Sequence, residues 1–137
     1  MKELTVPAVS ERLDEVLQFV DQELTYYHCS QATRMKIAVA VEEIYVNIAN
    51  YAYHPDLGEA TIRCAVCEDP LRIIIEFLDG GKPYNPLERE DPDISLSAQD
   101  RPIGGLGVFV VKKMMDDVQY EYKNGKNILT IIKHLNP

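Results

Sequence analysis

Three short segments carry residue types that could bind and act on a small anionic ligand. In Glu42-Glu43-Ile44-Tyr45-Val46-Asn47, Glu43 and Asn47 stand one helical turn apart. At ~100° per residue they fall together, about 80–100° to one side of the apolar stripe Ile37, Val41, Ile44 and Ile48. Glu42 points roughly opposite that stripe, into water. A carboxylate on the border of a buried face suits a general base, and an amide oxygen suits a hard cation such as Mg²⁺. The pair alone reads more simply as a solvated helix flank.

The second segment is Leu78-Asp79-Gly80-Gly81-Lys82-Pro83. An Asp leaving a hydrophobic strand beside glycines can aim its carboxylate at a ligand while the backbone approaches closely. A plain turn is the simpler alternative. A Walker phosphate loop is excluded, because Pro83 follows Gly81-Lys82 where Ser or Thr is needed. The third segment, Gly104-Gly105-Leu106-Gly107, opens a helix whose free N–H groups and dipole would favour an anion.

Other chemistry is unsupported. Cys64 and Cys67 form C-x-x-C, but three positions apart in a strand they face opposite sides. His28, His54 and His134 have no second ligand at metal spacing, and no Ser or Cys carries a nucleophile motif.

These segments need elements to position them. A strand at Glu3–Val6 ends at Pro7, and Ser10 reads as the N-cap of a helix with core stripe Leu13, Val16, Leu17, Val20 and Leu24. Ser30 can cap a second helix running to about Tyr51. Strands Ala60–Cys67 and Leu71–Leu78 form a hairpin across Glu68-Asp69-Pro70. The proline-rich stretch Lys82–Ile103 reads as a lid or binding loop. A helix from Gly104 to about Met115 and strands Asp117–Tyr122 and Asn127–His134 follow, the last two turned by Asn124-Gly125. The expected fold is α/β (α+β): a two-layer sandwich, with helices on one face of a mixed, mainly antiparallel sheet.

Composition sets the outer limits. The 137 residues carry 14 Lys+Arg against 22 Asp+Glu, a net charge of −8. That acidity argues against binding to nucleic acid or an anionic membrane. Hydrophobic types at 46% support one globular domain over residues 1–137. The start is acidic with no apolar signal region, and three cysteines cannot all pair, so a cytoplasmic protein with reduced thiols is expected.

In order along the chain, the segments resemble the motifs of the Bergerat-type (GHKL) ATPases, the superfamily of gyrase and histidine kinases. Val41 to Tyr53 is similar to the N box, Phe77 to Pro86 to the G1 box, and Gly104 to Asp116 to the G2 box; Gly125 to Lys133 matches the closing strand. Tyr51 departs from the histidine that many relatives carry. Within that superfamily the chain looks most like the stand-alone anti-sigma-factor serine/threonine kinases. The resemblance implies ATP and Mg²⁺, with Glu43 as general base and Asn47 as Mg²⁺ ligand. It implies that Asp79 accepts from the adenine amino group, with Gly81 allowing close approach and Thr130 supporting that pocket. Gly105, Leu106 and Gly107 would present N–H groups to the phosphates. The loop Tyr84–Ile103 would be the ATP lid, with Arg101 reaching the γ-phosphate.

The activity so implied is phosphorylation of a STAS-type antagonist protein in a bacterial partner-switching module. A sigma factor is the implied second partner, and a homodimer is an assembly relatives often form. The alternative is a non-catalytic, ATP-dependent interaction module, which would have no need of a base at Glu43. A histidine kinase would need a phospho-accepting hairpin upstream, and a gyrase-type hydrolase a transducer domain; neither is expected here.

Overall fold

Alternating apolar and polar residues generate five strands: β1 (Lys2–Pro7), β2 (Glu59–Cys67), β3 (Arg72–Asp79), β4 (Asp117–Lys123) and β5 (Lys126–His134). The computed structural model describes residues 1–88 and 105–135, and its strands form one sheet in the order β1-β2-β3-β5-β4. Every neighbouring pair is antiparallel, so the sheet expected to be mixed but mainly antiparallel is antiparallel throughout the described residues. The reason is that β4 and β5 enter as a hairpin whose second strand, β5, lies against β3. Asn124 and Gly125 turn that hairpin with φ of 54° and 77°, the left-handed pair that matches strand twist.

Among the described residues, three α-helices accompany the sheet: α1 (Leu13–Tyr26), α2 (Gln31–Asn47) and α3 (Gly105–Met114). The helical stripes deliver Val16, Val20 and Leu24 from α1, and Ile37, Val41 and Ile44 from α2, to a core shared with one face of the sheet. Ile62, Ile73, Ile75, Phe77 and Ile131 supply that face, because alternate strand residues point the same way. Each such side chain contributes about 1.5–3 kcal/mol on burial, so this layer holds helices and sheet in register.

Ser30 caps α2 as expected, its Oγ accepting from Thr33 N at 3.2 Å. Ser10 does not cap α1. Ser10–Arg12 forms a separate 3-10 turn, without a side-chain cap at Val9, and α1 begins at Leu13. The buried Tyr45 accounts for this entry: its hydroxyl donates to the carbonyls of Pro7 and Val9, at 3.1 and 2.7 Å. Those bonds tie the extended chain to α2 before the turn begins.

After Asn47 the helix widens into a π turn, Ile48–Ala52. Tyr53 follows and latches this end to the sheet. Its hydroxyl donates to Glu59 O at 2.6 Å and accepts from Gly80 N at 2.6 Å. Its ring lies where a side chain at Gly58 would stand, 2.3 Å from an added β-carbon. Among the described residues, no helix is long and apolar enough to cross a membrane.

Candidate functional site

A cavity of about 480 Å³ opens between α2, α3 and the ends of β3, β4 and β5. That volume lies within the range that small-molecule ligands occupy. Apolar walls come from residues such as Ile44, Ile48, Phe77, Val111 and Leu129, and the polar lining includes Asn47, Asp79, Lys82 and Asn127.

Asp79 is the last residue of β3 and only 6% exposed. Its Oδ1 accepts from Gly81 N at 2.9 Å and from Asn127 Nδ2 at 3.0 Å. Among the described residues Oδ2 has no hydrogen-bond partner, so an acceptor is left at the cavity wall. A ligand N–H would complete it.

Gly81 is required by a different neighbour than a ligand. A β-carbon there would stand 2.2 Å from Ala52 O, the end of the π turn, and Lys82 N donates to that same carbonyl at 3.3 Å. The glycine thus lets the loop after β3 press against the end of the long helix. Close approach is real, but the surface approached is the protein's own backbone.

Glu43 and Asn47 lie on one flank of α2, with Glu43 half-buried and Glu42 exposed, as the helical spacing predicts. Gly107 in the first turn of α3 faces both: an added β-carbon would be 3.1 Å from Glu43 Oε2 and 3.3 Å from Asn47 Nδ2. A carboxylate, an amide and a helix start therefore meet at one end of the site. Gly105 and Leu106 are the first two residues of α3, so their N–H groups belong to its unpaired first turn. Arg101 and most of the expected lid, Tyr84–Ile103, lie outside the described residues.

Thr130 does not reach the cavity. Asn127, Leu129 and Ile131 face the core side of β5, so Thr130 projects from the opposite face, paired across the sheet with Glu76 and Gln119. The β5 residue that meets Asp79 is Asn127, three positions earlier. Its Nδ2 donates to Asp79 Oδ1 and to Lys82 O at 2.8 Å, and its Oδ1 accepts from Tyr84 N at 3.0 Å and from the Tyr120 hydroxyl. Burial raises the Tyr120 pKa above its ordinary value. The sequence does hold a signal for Asn127: counting back by twos from Ile131 puts an amide on the core face, where it must find partners.

The cysteines behave as core and rim residues. Cys64 is buried, its thiol pushed up to about 12 by desolvation, and Cys67 ends β2. No group of three or more His, Cys, Asp or Glu among the described residues could hold a metal ion. A Mg²⁺ ion fits here only as a phosphate-borne ion with few protein ligands, the usual manner for this cation. Asn47, in the cavity lining, could offer its amide oxygen to such an ion.

Comparison with known proteins adds the following. Residues 6–133 match the family described as "Histidine kinase-like ATPase domain". Serine-protein kinase RsbW of Bacillus cereus (strain ATCC 10987 / NRS 248) is 32% identical over 93 residues, covering 66% of this chain and 58% of that protein. Serine-protein kinase RsbW of Bacillus mycoides (strain KBAB4) is 32% identical over 95 residues with the same coverage. The chain therefore spans a little over half the length of these relatives. Among solved structures, the RsbU and RsbW domains of Rv1364c from Mycobacterium tuberculosis align over all of this chain and 34% of that one. The TM-score is 0.66 and the identity 13%. The histidine kinase domain of a blue-light activated kinase from Erythrobacter litoralis aligns over 76% of this chain and 45% of that one, with TM-score 0.56 and 17% identity. At such identities these two likenesses speak to fold alone.

Proposed function

The chain belongs to the histidine kinase-like ATPase domain family, and from that premise we propose that it binds Mg-ATP and acts as an anti-sigma-type serine/threonine protein kinase. Its substrate is a STAS-type antagonist protein of a bacterial partner-switching module, met in the cytoplasm, with a sigma factor as the competing partner. The kinase activity is supported by the two serine-protein kinases similar to this chain.

One observation carries the reading: a single cavity has in its wall an acceptor, Asp79 Oδ2, without a partner among the described residues, and the Glu43–Asn47–Gly107 cluster at its edge. The first suits the amino edge of adenine. The second suits the triphosphate and the incoming hydroxyl. Phosphoryl transfer requires positioning and charge stabilisation more than covalent chemistry. Glu43 Oε2 would take the proton of a serine hydroxyl as its oxygen bonds to the γ-phosphorus and the bridging oxygen leaves with ADP. The N–H groups of Gly105, Leu106 and Gly107 would hold the phosphates. Mg²⁺ bound at Asn47 would supply neutralisation of the phosphate charge.

The product explains switching. A phosphoserine carries about −1.5 to −2 charges, and this chain carries −8, so repulsion would release the phosphorylated antagonist. The deciding experiment incubates this protein with a STAS-domain protein encoded beside it and γ-labelled ATP. Label on a serine or threonine of the antagonist is the expected result. Tight nucleotide binding with no transfer would replace the kinase with an ATP-gated binding module.

A further inference from the structure

Asn127 is 7% exposed and uses its full hydrogen-bonding capacity. Its two N–H donors serve Asp79 Oδ1 and Lys82 O, and its carbonyl oxygen receives Tyr84 N–H and the Tyr120 hydroxyl. A flipped amide would set its NH₂ against the Tyr84 N–H and its oxygen against both the Asp79 carboxylate and the Lys82 carbonyl. The orientation is therefore fixed from two sides.

Three parts of the chain depend on that orientation. Asp79 ends β3, residues 82–84 begin the following loop, and Tyr120 stands on β4. Each contributes a wall of the cavity. Because Gly81 N and Asn127 Nδ2 both donate to Oδ1, the remaining oxygen of Asp79 is the one left for a ligand.

We propose that Asn127 is a positioning residue that sets nucleobase specificity, holding Asp79 and residues 82–84 so that the cavity presents an acceptor to the base. This rests on the ATP-binding reading above. A base with an amino group at that edge, such as adenine, completes Asp79. Hypoxanthine carries a carbonyl oxygen in the same place and sets acceptor against acceptor. An unpaired buried polar group of this kind is worth roughly 10–100-fold in affinity.

The test measures ADP and inosine diphosphate binding by calorimetry for the parent, Asn127→Leu and Tyr120→Phe. The parent should prefer ADP by at least about ten-fold. Asn127→Leu keeps bulk but neither donates nor accepts, so it should lose ADP affinity while changing that for inosine diphosphate far less. A merely structural role would weaken both nucleotides together and preserve their ratio, and that result overturns the proposal. Should Asn127→Leu fail to fold, Tyr120→Phe decides. It removes one of the two donors that fix the amide, and an unchanged ratio there also overturns the proposal. Absence of ADP binding to the parent would instead overturn the nucleotide reading itself, and the inference with it.

Discussion

Glu43 Oε2 lies 3.1 Å from the point where a β-carbon at Gly107 would stand, so α2 and α3 meet closely enough here that a side chain would have to displace Glu43 or Asn47. The neighbour met there is the end of a side chain, which can move. At Gly81 the neighbour is a backbone carbonyl, Ala52 O, at 2.2 Å, which cannot move cheaply.

The two glycines should therefore fail differently. Gly81→Ala should lower stability by about 1–3 kcal/mol through overpacking, seen as a shift in the denaturation midpoint. Gly107→Ala should fold almost as well as the parent but displace Glu43 or Asn47, and so weaken Mg-ATP. Equal losses of stability in both would contradict the distinction between backbone and side-chain neighbours.

Nucleotide should stabilise the fold through Asp79. At 100-fold its dissociation constant, Mg-ATP or ADP should add about 2.7 kcal/mol, measured as a rise in Tm. Asp79→Asn replaces an acceptor oxygen with an amide that can turn a donor toward the adenine amino group, and should remove most of the rise. A variant stabilised as much as the parent would remove Asp79 from the adenine pocket.

Glu43→Gln should retain nucleotide while transfer to the antagonist falls roughly 10²–10⁴-fold. Asn47→Ala should lower both, since it removes the residue proposed to hold Mg²⁺ against the phosphates. Glu42→Gln is the control, because Glu42 is exposed on the same helix. Equal transfer rates for the two Gln variants would end the general-base assignment.

Acid should act through the pair joining α1 and α2. Arg34 donates to both oxygens of Asp21, at 2.8 and 2.7 Å. That hydrogen bonding holds the Asp21 carboxyl below its ordinary value of 3.8. A folded-state value lowered in this way contributes stability above the unfolded pKa and loses it as pH falls through the folded one. Arg34→Gln should thus cost a small fall in Tm at neutral pH, and the gap from the parent should close below about pH 4. A gap of constant size down to pH 2 would point to lost packing instead.

The elements could be read from the sequence because their signals are local. Apolar spacing in α1 and α2, Ser30 at a cap and Asn124-Gly125 at a turn each depend on a few neighbouring residues. Spacing on α2 also separated Glu43 from Glu42 without reference to the sheet. Contacts distant in sequence were harder to read. Ser10 has the chemistry of a cap, but Tyr45, 35 residues later, ties down the chain leading into its turn. Gly81 suited a ligand by type, and only folding brings Ala52 against it. Thr130 was assigned through resemblance, whereas the register of β5 against β3 sets Asn127 opposite Asp79 and turns Thr130 to the other face.

The hydroxyl of Tyr53 gives the site a timescale. Gly80 N donates to that oxygen, and the same oxygen donates to Glu59 O, so the end of the long helix, the start of β2 and the end of β3 share one atom. The helix end cannot withdraw without breaking both bonds, whereas Gly80 or Glu59 moving alone breaks one. The amide proton of Gly80, though it lies in a loop, should exchange with solvent more slowly than a free loop amide, because its bond to Tyr53 must open first. Exchange at Gly80 would then report how often the chain beside Asp79 leaves the helix end.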